Sequence, residues 1–405
     1  TNVLNLDELK SNLDQFFLVI CGIFILFMQT GFAFLEAGSV RSKNTTNIIM
    51  KNVLDLFIGA IMYFAIGYSF AYGKPGNAFI ANDGNFTYAG WFFQYVFAAT
   101  ASTIVSGAMA ERTEFTTYMV YFTFLTGFVY PVVAHWCWSE VGWLKVGMAH
   151  GLSYIDYAGS GVVHLTGGSA ALVGAIALGP RIGRFKPDGT VNDLPGHTVT
   201  VAALGGFILF VGFMAFNGGS QLSISNPGDG NVVALSVMNT VLGGASGAIV
   251  AMLVYKTTDA IRGEDHYWSL LITINGGLAG MVSMCAGCND MLPWAAVVIG
   301  TIAGLAFMGW HHLMLFCKID DPLDAVAVHL GGGLAGVLLA PIFSFGWNLL
   351  GAVAIIGWTV AISTLLFGSM KLLGVLRVSE ADELRGLDEI KHGEPAYPIK
   401  SYSDQ

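Results

Sequence analysis

Charged residues are scarce in this chain of 405 residues, where Asp, Glu, Lys and Arg together make up 11% of the sequence. An ordinary soluble domain has roughly a quarter of such residues. Hydrophobic residues account for 54%, so the composition argues against a soluble globular protein and indicates a membrane protein. The sequence also has no basic patch, and we therefore expect no nucleic-acid partner.

Cysteine is rare as well. Five are present, and "CAGC" at 285–288 is the only CxxC motif. A metal or redox site of this type needs a second pair of ligands or a thioredoxin-like context, and the sequence has neither. We predict that the cysteines are small packing residues and that the protein uses no metal and no cofactor.

Long apolar runs are abundant, and each is long enough to span a bilayer as a helix. They predict an all-α membrane protein with eleven transmembrane helices. The predicted spans are approximately 14–38, 52–72, 91–110, 117–136, 159–179, 197–218, 231–255, 267–288, 293–316, 324–344 and 347–370.

The positive charges test this count independently. With eleven spans, Lys10, Lys74 and Lys145 fall on the side of the N-terminus, and all the other Lys and Arg residues fall on the opposite side. Because cytoplasmic loops carry an excess of positive charge, this distribution predicts an N-terminus outside the cell and a C-terminus in the cytoplasm.

Two apolar stretches resemble each other. Residues 156–168 read "DYAGSGVVHLTGG", and residues 321–333 read "DPLDAVAVHLGGG". In both, seven residues separate an aspartate from a histidine that is followed by leucine and a glycine pair. Five predicted spans lie between the copies, so the second copy crosses the membrane in the opposite direction. This predicts an inverted repeat of five plus five helices with one extra helix, and a functional site near the midplane.

The histidines of the two copies, His164 and His329, are the candidate centre of that site. A lone buried histidine in a soluble protein is usually a packing residue. Within a membrane an ionisable side chain is costly and usually faces a functional cavity, and the matching positions strengthen the functional interpretation.

Four long motifs resemble those of the ammonium transporter family, which includes the Amt, Mep and Rhesus proteins. The glycine-rich character of the sequence resembles the Amt branch of that family. In chain order they are "TGFAFLEAGSVRSKNTTNIIMKN", "DYAGSGVVHLTGG", "DDPLDAVAVHLGGGLAG" and "LRVSEADELRGLDEIKHGEPAY". The resemblance covers nearly the whole chain. It implies a channel domain over residues 1–375 and a cytoplasmic regulatory tail over residues 376–405.

The resemblance also implies roles for individual residues. His164 and His329 match the paired histidines of the family's pore. Phe97, with Phe93 beside it, and Phe216 match its gating phenylalanines. The residues that match the outer recruitment site are Trp138, Ser220, Phe97 and Asp156. Asp156 also stands where a carboxylate caps a helix N-terminus, and we expect capping to be at least half of its role.

These residues predict a transport mechanism, and no enzyme. An aromatic face and a hydroxyl group bind ammonium, by cation–π attraction worth ~0.5 to 2 kcal/mol and a hydrogen bond. An apolar pore then excludes an intact cation but passes neutral ammonia. Two histidines that share a hydrogen bond can carry the removed proton separately, so net transport would move charge.

The implied partners are ammonium, ammonia and methylammonium, the lipid of a plasma membrane that the chain crosses several times, two further copies in a homotrimer, and a PII-type regulatory protein. A family phosphorylation switch is in doubt because Ile390 replaces its threonine.

Two alternatives stay open. The first is an ammonium sensor with little flux, whose output domain could lie outside this sequence; the second is a redox protein that holds haem between the histidines.

Overall fold

The computed structural model describes residues 5–73, 87–147, 152–262 and 267–397. Within these ranges the regular secondary structure is helical, and the only β-type pairings are two isolated bridges. The fifteen α-helices are α1 (Leu6–Ser39), α2 (Thr45–Met62), α3 (Tyr68–Tyr72), α4 (Tyr88–Ala108), α5 (Phe115–Phe124), α6 (Tyr130–Trp138), α7 (Trp143–Val146), α8 (Thr166–Leu178), α9 (Val199–Gly219), α10 (Asp229–Arg262), α11 (Leu270–Met284), α12 (Pro293–Phe316), α13 (Gly332–Leu339), α14 (Phe345–Leu372) and α15 (Glu380–Arg385).

Eight helical segments in the described residues are long and apolar enough to cross a membrane. They are Leu6–Ser39, Ser42–Tyr72, Phe115–Val146, Ser160–Leu178, Val199–Gly219, Asp229–Thr258, Pro293–Phe316 and Ile342–Leu372. Two shorter apolar segments are Leu270–Met284 and Val326–Leu339. The prediction of an all-α, multi-pass membrane protein is therefore confirmed.

Helix α4 matches the predicted span 91–110 but is not among these ten segments. Every residue from Tyr95 to Ala108 is buried, so protein and not lipid surrounds this part of the helix. A helix in such a position tolerates polar side chains, which explains the four hydroxyl residues Thr100, Ser102, Thr103 and Ser106 in its second half.

Two helices begin earlier than the sequence predicts. α1 starts at Leu6, where the side chain of Asn5 caps it by accepting a hydrogen bond from the backbone N–H of Asp7. α2 starts at Thr45, about two turns before the predicted span. Lys51, which was predicted to lie in a loop, is therefore inside α2 and fully buried.

Wider helical turns interrupt the regular pattern at both histidines. His164 lies in a π-helical turn, π1, over Ser160–Leu165, and His329 lies in a second, π2, over Val326–Gly331. α8 continues directly from π1 and α13 from π2. Three other π-helical turns lie at Tyr63–Gly67, Leu125–Val129 and Asp388–His392. The two that carry the histidines begin at nearly the same place in the two copies, four residues after Asp156 and five after Asp321.

The glycine pairs after the histidines bring the two copies into contact. A Cβ atom on Gly168 would overlap the backbone of Leu330, and one on Gly333 would lie 2.6 Å from the carbonyl oxygen of Ser160. Each copy therefore packs its glycines against the π-helical turn of the other. A larger side chain at either position would push the two histidine-bearing segments apart.

The C-terminal residues pack against one end of the helix bundle, which we call the tail end. The carboxylate of Asp388 accepts a hydrogen bond of 2.8 Å from the backbone N–H of Asn47, in the first turn of α2. In return, the side chain of Asn44 accepts one of 3.0 Å from the N–H of Leu387. The tail thus supplies a cap for α2 from a distant part of the sequence.

An ion pair also joins distant loops at the tail end. The guanidinium of Arg181 donates two hydrogen bonds, of 2.8 and 3.1 Å, to the carboxylate of Asp320. Burial would raise the pKa of Asp320, but these hydrogen bonds and the charge of Arg181 hold it at about 2. Arg112 donates to the backbone carbonyl of Asp320 as well.

Candidate functional site

The site begins with the aspartate of each repeat copy, which caps the π-helical turn that follows it. In the first copy, the carboxylate of Asp156 accepts hydrogen bonds of 2.8 and 2.9 Å from the N–H groups of Gly161 and Val162. In the second, Asp321 accepts one of 2.7 Å from Val326. Gly161 and Val326 both lie five residues after their aspartate, so this hydrogen bond occurs at the same position in both copies.

The histidines of the two turns lie in direct contact. Nδ1 of His164 lies 3.0 Å from Nδ1 of His329, and the two ring planes differ by 12°. His164 is fully buried and His329 is 6% exposed. A separation of 3.0 Å makes one nitrogen the donor and the other the acceptor, and it leaves no room for a haem plane between the rings.

Apolar groups surround His164. Its ring lies 5.8 Å from the ring of Phe213 and 5.7 Å from that of Phe216, between centroids. Its second nitrogen, Nε2, lies 3.7 Å from the sulfur of Cys285. Phe32 lies 6.3 Å from His329, so aromatic rings face both members of the pair.

A cavity of about 200 Å³ opens on the far side of Phe216, away from the tail end. We call it the outer cavity. Phe97 stacks on Phe216 with 4.2 Å between ring centroids, and it also contacts Phe93 at 5.0 Å and Trp138 at 5.9 Å. The stacked pair of Phe97 and Phe216 therefore separates the outer cavity from the histidines.

Four of the predicted recruitment and gating residues line this cavity, namely Phe93, Phe97, Trp138 and Ser220. The hydroxyl of Ser220 donates to the carbonyl of Phe216 at 2.8 Å, which leaves its oxygen lone pairs as acceptors. Sequence reasoning missed two charged residues on the same wall, Glu140 and Lys145, which form an ion pair with each other.

Asp156 takes a different place from the other predicted residues, because it lies behind the wall of the outer cavity. Its backbone carbonyl accepts a hydrogen bond of 2.8 Å from the indole N–H of Trp138. Its carboxylate accepts from Gly159 and from the hydroxyl of Tyr154, in addition to the two N–H groups of π1. It therefore fixes both the start of π1 and the orientation of Trp138.

A second cavity, the inner cavity, lies on the tail-end side of the histidines. It has a volume of about 20 Å³, and its lining includes Phe32, Glu36, Gly107, Leu323 and His329. That volume is enough for about one water molecule. The histidine pair therefore stands between a large aromatic cavity and a small one with a carboxylate in its wall.

Sequence reasoning also missed a group of buried charges beside the inner cavity. Glu36, Lys51 and Asp55 are each at most 2% exposed. Their charge within apolar stretches was the available signal, since intramembrane ionisable groups are usually functional. Within the described ranges, no group of three or more His, Cys, Asp and Glu side chains is arranged to hold a metal ion.

Comparison with known proteins gives one family. The model of the Ammonium Transporter Family matches residues 16–397. The putative ammonium transporter 1 of Caenorhabditis elegans is 46% identical over 96% of this chain and 80% of its own length. Ammonium transporter 1 member 2 of Oryza sativa subsp. japonica is 38% identical over 90% of this chain and 82% of its own length.

Solved structures have the same fold. A protein described as "Sensor Amt Protein" superposes with a TM-score of 0.87 and 31% identity, over 95% of this chain and all of the other. Mep2 of Candida albicans superposes with a TM-score of 0.79 and 24% identity, over 93% of this chain and 89% of its own. At that identity the second similarity concerns the fold alone.

Proposed function

This chain belongs to the ammonium transporter family, and from that premise we propose that it carries ammonium across a membrane along the path from the outer cavity to the inner cavity. One observation carries the proposal beyond family membership. The two imidazoles lie in hydrogen-bond contact and are buried among aromatic rings, with His329 in the wall of the inner cavity and His164 beside Phe216, which stacks on Phe97 in the wall of the outer cavity.

The outer cavity is the proposed recruitment site. An ammonium ion there meets the faces of Trp138 and Phe97 and the oxygen of Ser220, all of which line the cavity. Cation–π attraction contributes roughly 0.5 to 2 kcal/mol, and the hydroxyl accepts a hydrogen bond. Potassium, which has a similar size and charge, gains the first contribution but has no proton to donate for the second.

The histidine pair is the proposed point of discrimination. Beyond the stacked rings of Phe97 and Phe216, an intact cation would lose its hydration and gain few polar partners, at a cost of several kcal/mol. Neutral ammonia avoids that cost. Ammonium can release a proton to the paired imidazoles and cross as ammonia, whereas potassium cannot. The proton crosses separately, and net transport moves one positive charge.

The finer features of the assembly are part of the same proposal. They comprise eleven spans in an inverted repeat with one extra helix, a channel domain over residues 1–375 and a regulatory tail over residues 376–405. The loop charges favour an outer N-terminus and a cytoplasmic tail, and a plasma-membrane location is part of the proposal. Family membership favours a homotrimer, methylammonium as a second substrate and a PII-type partner. Lys74, Lys400 and residues 398–405 lie outside the described residues.

An ammonium sensor is the second candidate. It is favoured by the 31% identity and TM-score of 0.87 with the protein described as a sensor. A sensor would bind ammonium in the same outer cavity and pass little of it. The greater identity to proteins named as transporters favours transport.

The deciding experiment is current on solid-supported membranes from reconstituted protein, pulsed with ammonium and separately with potassium. We expect a wild-type current with ammonium and none with potassium. His329→Ala removes the proton carrier and should abolish the ammonium current or admit potassium. Wild-type binding of ammonium without current would favour the sensor. An unchanged, selective current in both His329→Ala and His164→Ala would overturn the proposed mechanism.

A further inference from the structure

We propose that Glu36 is the proton acceptor on the tail-end side of the histidine pair, and that it returns the proton to ammonia in the inner cavity. The inference rests on the proposed function, because it concerns the exit of the same proton. Glu36 lies outside both copies of the repeat, and the contact between the two histidines does not depend on it.

The first support is the position of Glu36. The carboxylate and His329 line the same cavity, whose volume of about 20 Å³ holds one small molecule. Nδ1 of His329 is directed at His164, so Nε2 is the nitrogen that remains for a molecule in that cavity. A single water or ammonia there can contact the imidazole and the carboxylate together.

The second support is how the carboxylate is held. Asn52 donates a hydrogen bond of 2.6 Å and Ser106 one of 2.9 Å, and both end on Oε2. Oε1 lies 3.6 Å from the position of a Cβ on Gly107, a residue of the cavity wall. The hydrogen bonds therefore fix one oxygen and leave the other on the side of the cavity.

The third support is the set of charges around Glu36. From α2, Lys51 and Asp55 face the same buried region, and Tyr118 of α5 donates a hydrogen bond of 2.6 Å to Asp55. Nζ of Lys51 is buried and has no hydrogen-bond partner among the described residues; it lies 4.8 Å from the centroid of the Tyr118 ring. A nearby cation offsets part of the cost of an ionised Glu36 in this apolar surrounding.

The proton steps balance. The histidine pair takes one proton from ammonium on the outer side, which leaves ammonia, and His329 releases one proton to the molecule in the inner cavity. That molecule passes a proton to Glu36, which becomes a neutral carboxylic acid. Ammonia that reaches the inner cavity takes this proton, so ammonium forms again and the carboxylate is restored. One ammonium and one positive charge have crossed.

A purely structural role is the competing explanation, since Glu36 links α1 to α2 and α4 through its two hydrogen bonds. Two variants separate these roles. Glu36→Gln keeps an oxygen that can accept from Asn52 and Ser106 but cannot take up a proton. Ser106→Ala removes one of the hydrogen bonds and keeps the carboxylate.

The experiment measures ammonium-induced current and the thermal unfolding temperature for the wild type and both variants in reconstituted full-length protein. We expect Glu36→Gln to unfold within a few degrees of the wild type and to lose at least tenfold in current. Ser106→Ala should unfold at a lower temperature and keep at least half of the current. A Glu36→Gln current above half of the wild-type value, or a loss of current that follows the unfolding temperature in both variants, overturns the inference.

A further variant decides the matter if Glu36→Gln does not fold. Gly107→Ala keeps every polar group and adds a methyl group to the wall of the inner cavity, 3.3 Å from Cβ of Leu323. It should displace the bridging molecule and reduce the current at least threefold, and an undiminished current contradicts the inference. Absence of any wild-type ammonium current would instead contradict the proposed function, so the two failures are distinguishable.

Discussion

The two π-helical turns have the same motif and the same cap, yet their histidines face different surroundings. His164 of π1 is enclosed by Phe213, Phe216 and the sulfur of Cys285. His329 of π2 borders the inner cavity. The repeat therefore explains why two imidazoles meet, and the residues outside the repeat explain why His164 faces Phe216 and His329 faces a cavity with a carboxylate in its wall. The shared motif brings the two histidines together, and the different neighbours of each histidine make the two sides of the pair unlike.

The caps of the two turns differ in strength as well. Asp156 accepts from three backbone N–H groups and one hydroxyl. Asp321 accepts from the backbone N–H groups of Val326 and Ala325, and its Oδ1 is buried with no hydrogen-bond partner among the described residues. π1 is therefore the more firmly anchored of the two turns.

The largest effect should follow from separating the two turns. Gly168→Ala places a methyl group into the backbone of Leu330, next to His329. A backbone clash cannot be relieved by a rotamer change, and overpacking typically costs about 1 to 3 kcal/mol. We expect the ammonium current to fall by at least about tenfold, as the contact between the imidazoles is lost, and the unfolding temperature to fall with it.

Gly368→Ala is the matched control for this variant. A Cβ atom on Gly368 of α14 meets nothing within 4 Å, and alanine is favoured over glycine in a helix by roughly 0.8 to 1 kcal/mol. We expect an unchanged current and an equal or higher unfolding temperature. Equal currents in the Gly168 and Gly368 variants would contradict the view that close glycine packing holds the pair together.

A smaller effect should follow from removing the aspartate that caps each turn. Asp156→Ala leaves the N–H of Gly159 and two N–H groups of π1 without their acceptor, whereas Asp321→Ala affects the start of π2 through Val326 and Ala325. A buried donor without a partner costs about 1 to 3 kcal/mol. We expect the unfolding temperature to fall clearly more for Asp156→Ala than for Asp321→Ala. Thermal unfolding of the reconstituted variants measures this, and the reverse order would mean that π1 is not the better anchored turn.

Hydropathy, motifs and residue spacing each predicted a different part of the fold and of the candidate site. Hydropathy was sufficient for a multi-pass helical protein, and the motifs predicted the family correctly. The spacing from Asp156 to His164 recurs from Asp321 to His329, which was enough to pair the histidines. The roles of the pore residues, the count of eleven spans and the orientation stay predictions.

The remaining features depend on contacts between distant residues. Glu36 meets Asn52 across 16 positions and Ser106 across 70, and no local pattern reveals such partners. The predicted span 52–72 began only after Lys51, because hydropathy treats every charge as exposed to water, although tertiary packing buries this side chain. The π-helical turns have no local signal either, since "SGVVHL" and "VAVHLG" are mostly apolar segments without proline.

The smallest expected effect concerns the thiol of Cys285, which contacts His164 of the first turn. The sulfur of Cys285 lies 3.4 Å from the carbonyl of Met281 and 3.7 Å from Nε2 of His164. Cys285→Ala removes this weak partner and leaves Nε2 among apolar groups. If the contact is worth about 0.5 to 1 kcal/mol, the ammonium current should change by roughly two- to fivefold.

Cys288→Ala is the control, because Cys288 packs in a separate cluster with Met284 and Met291 and its loss should leave the current unchanged. A change of the same size in both variants would assign the effect to general packing, and then the asymmetry between the two histidines would rest on their cavities alone.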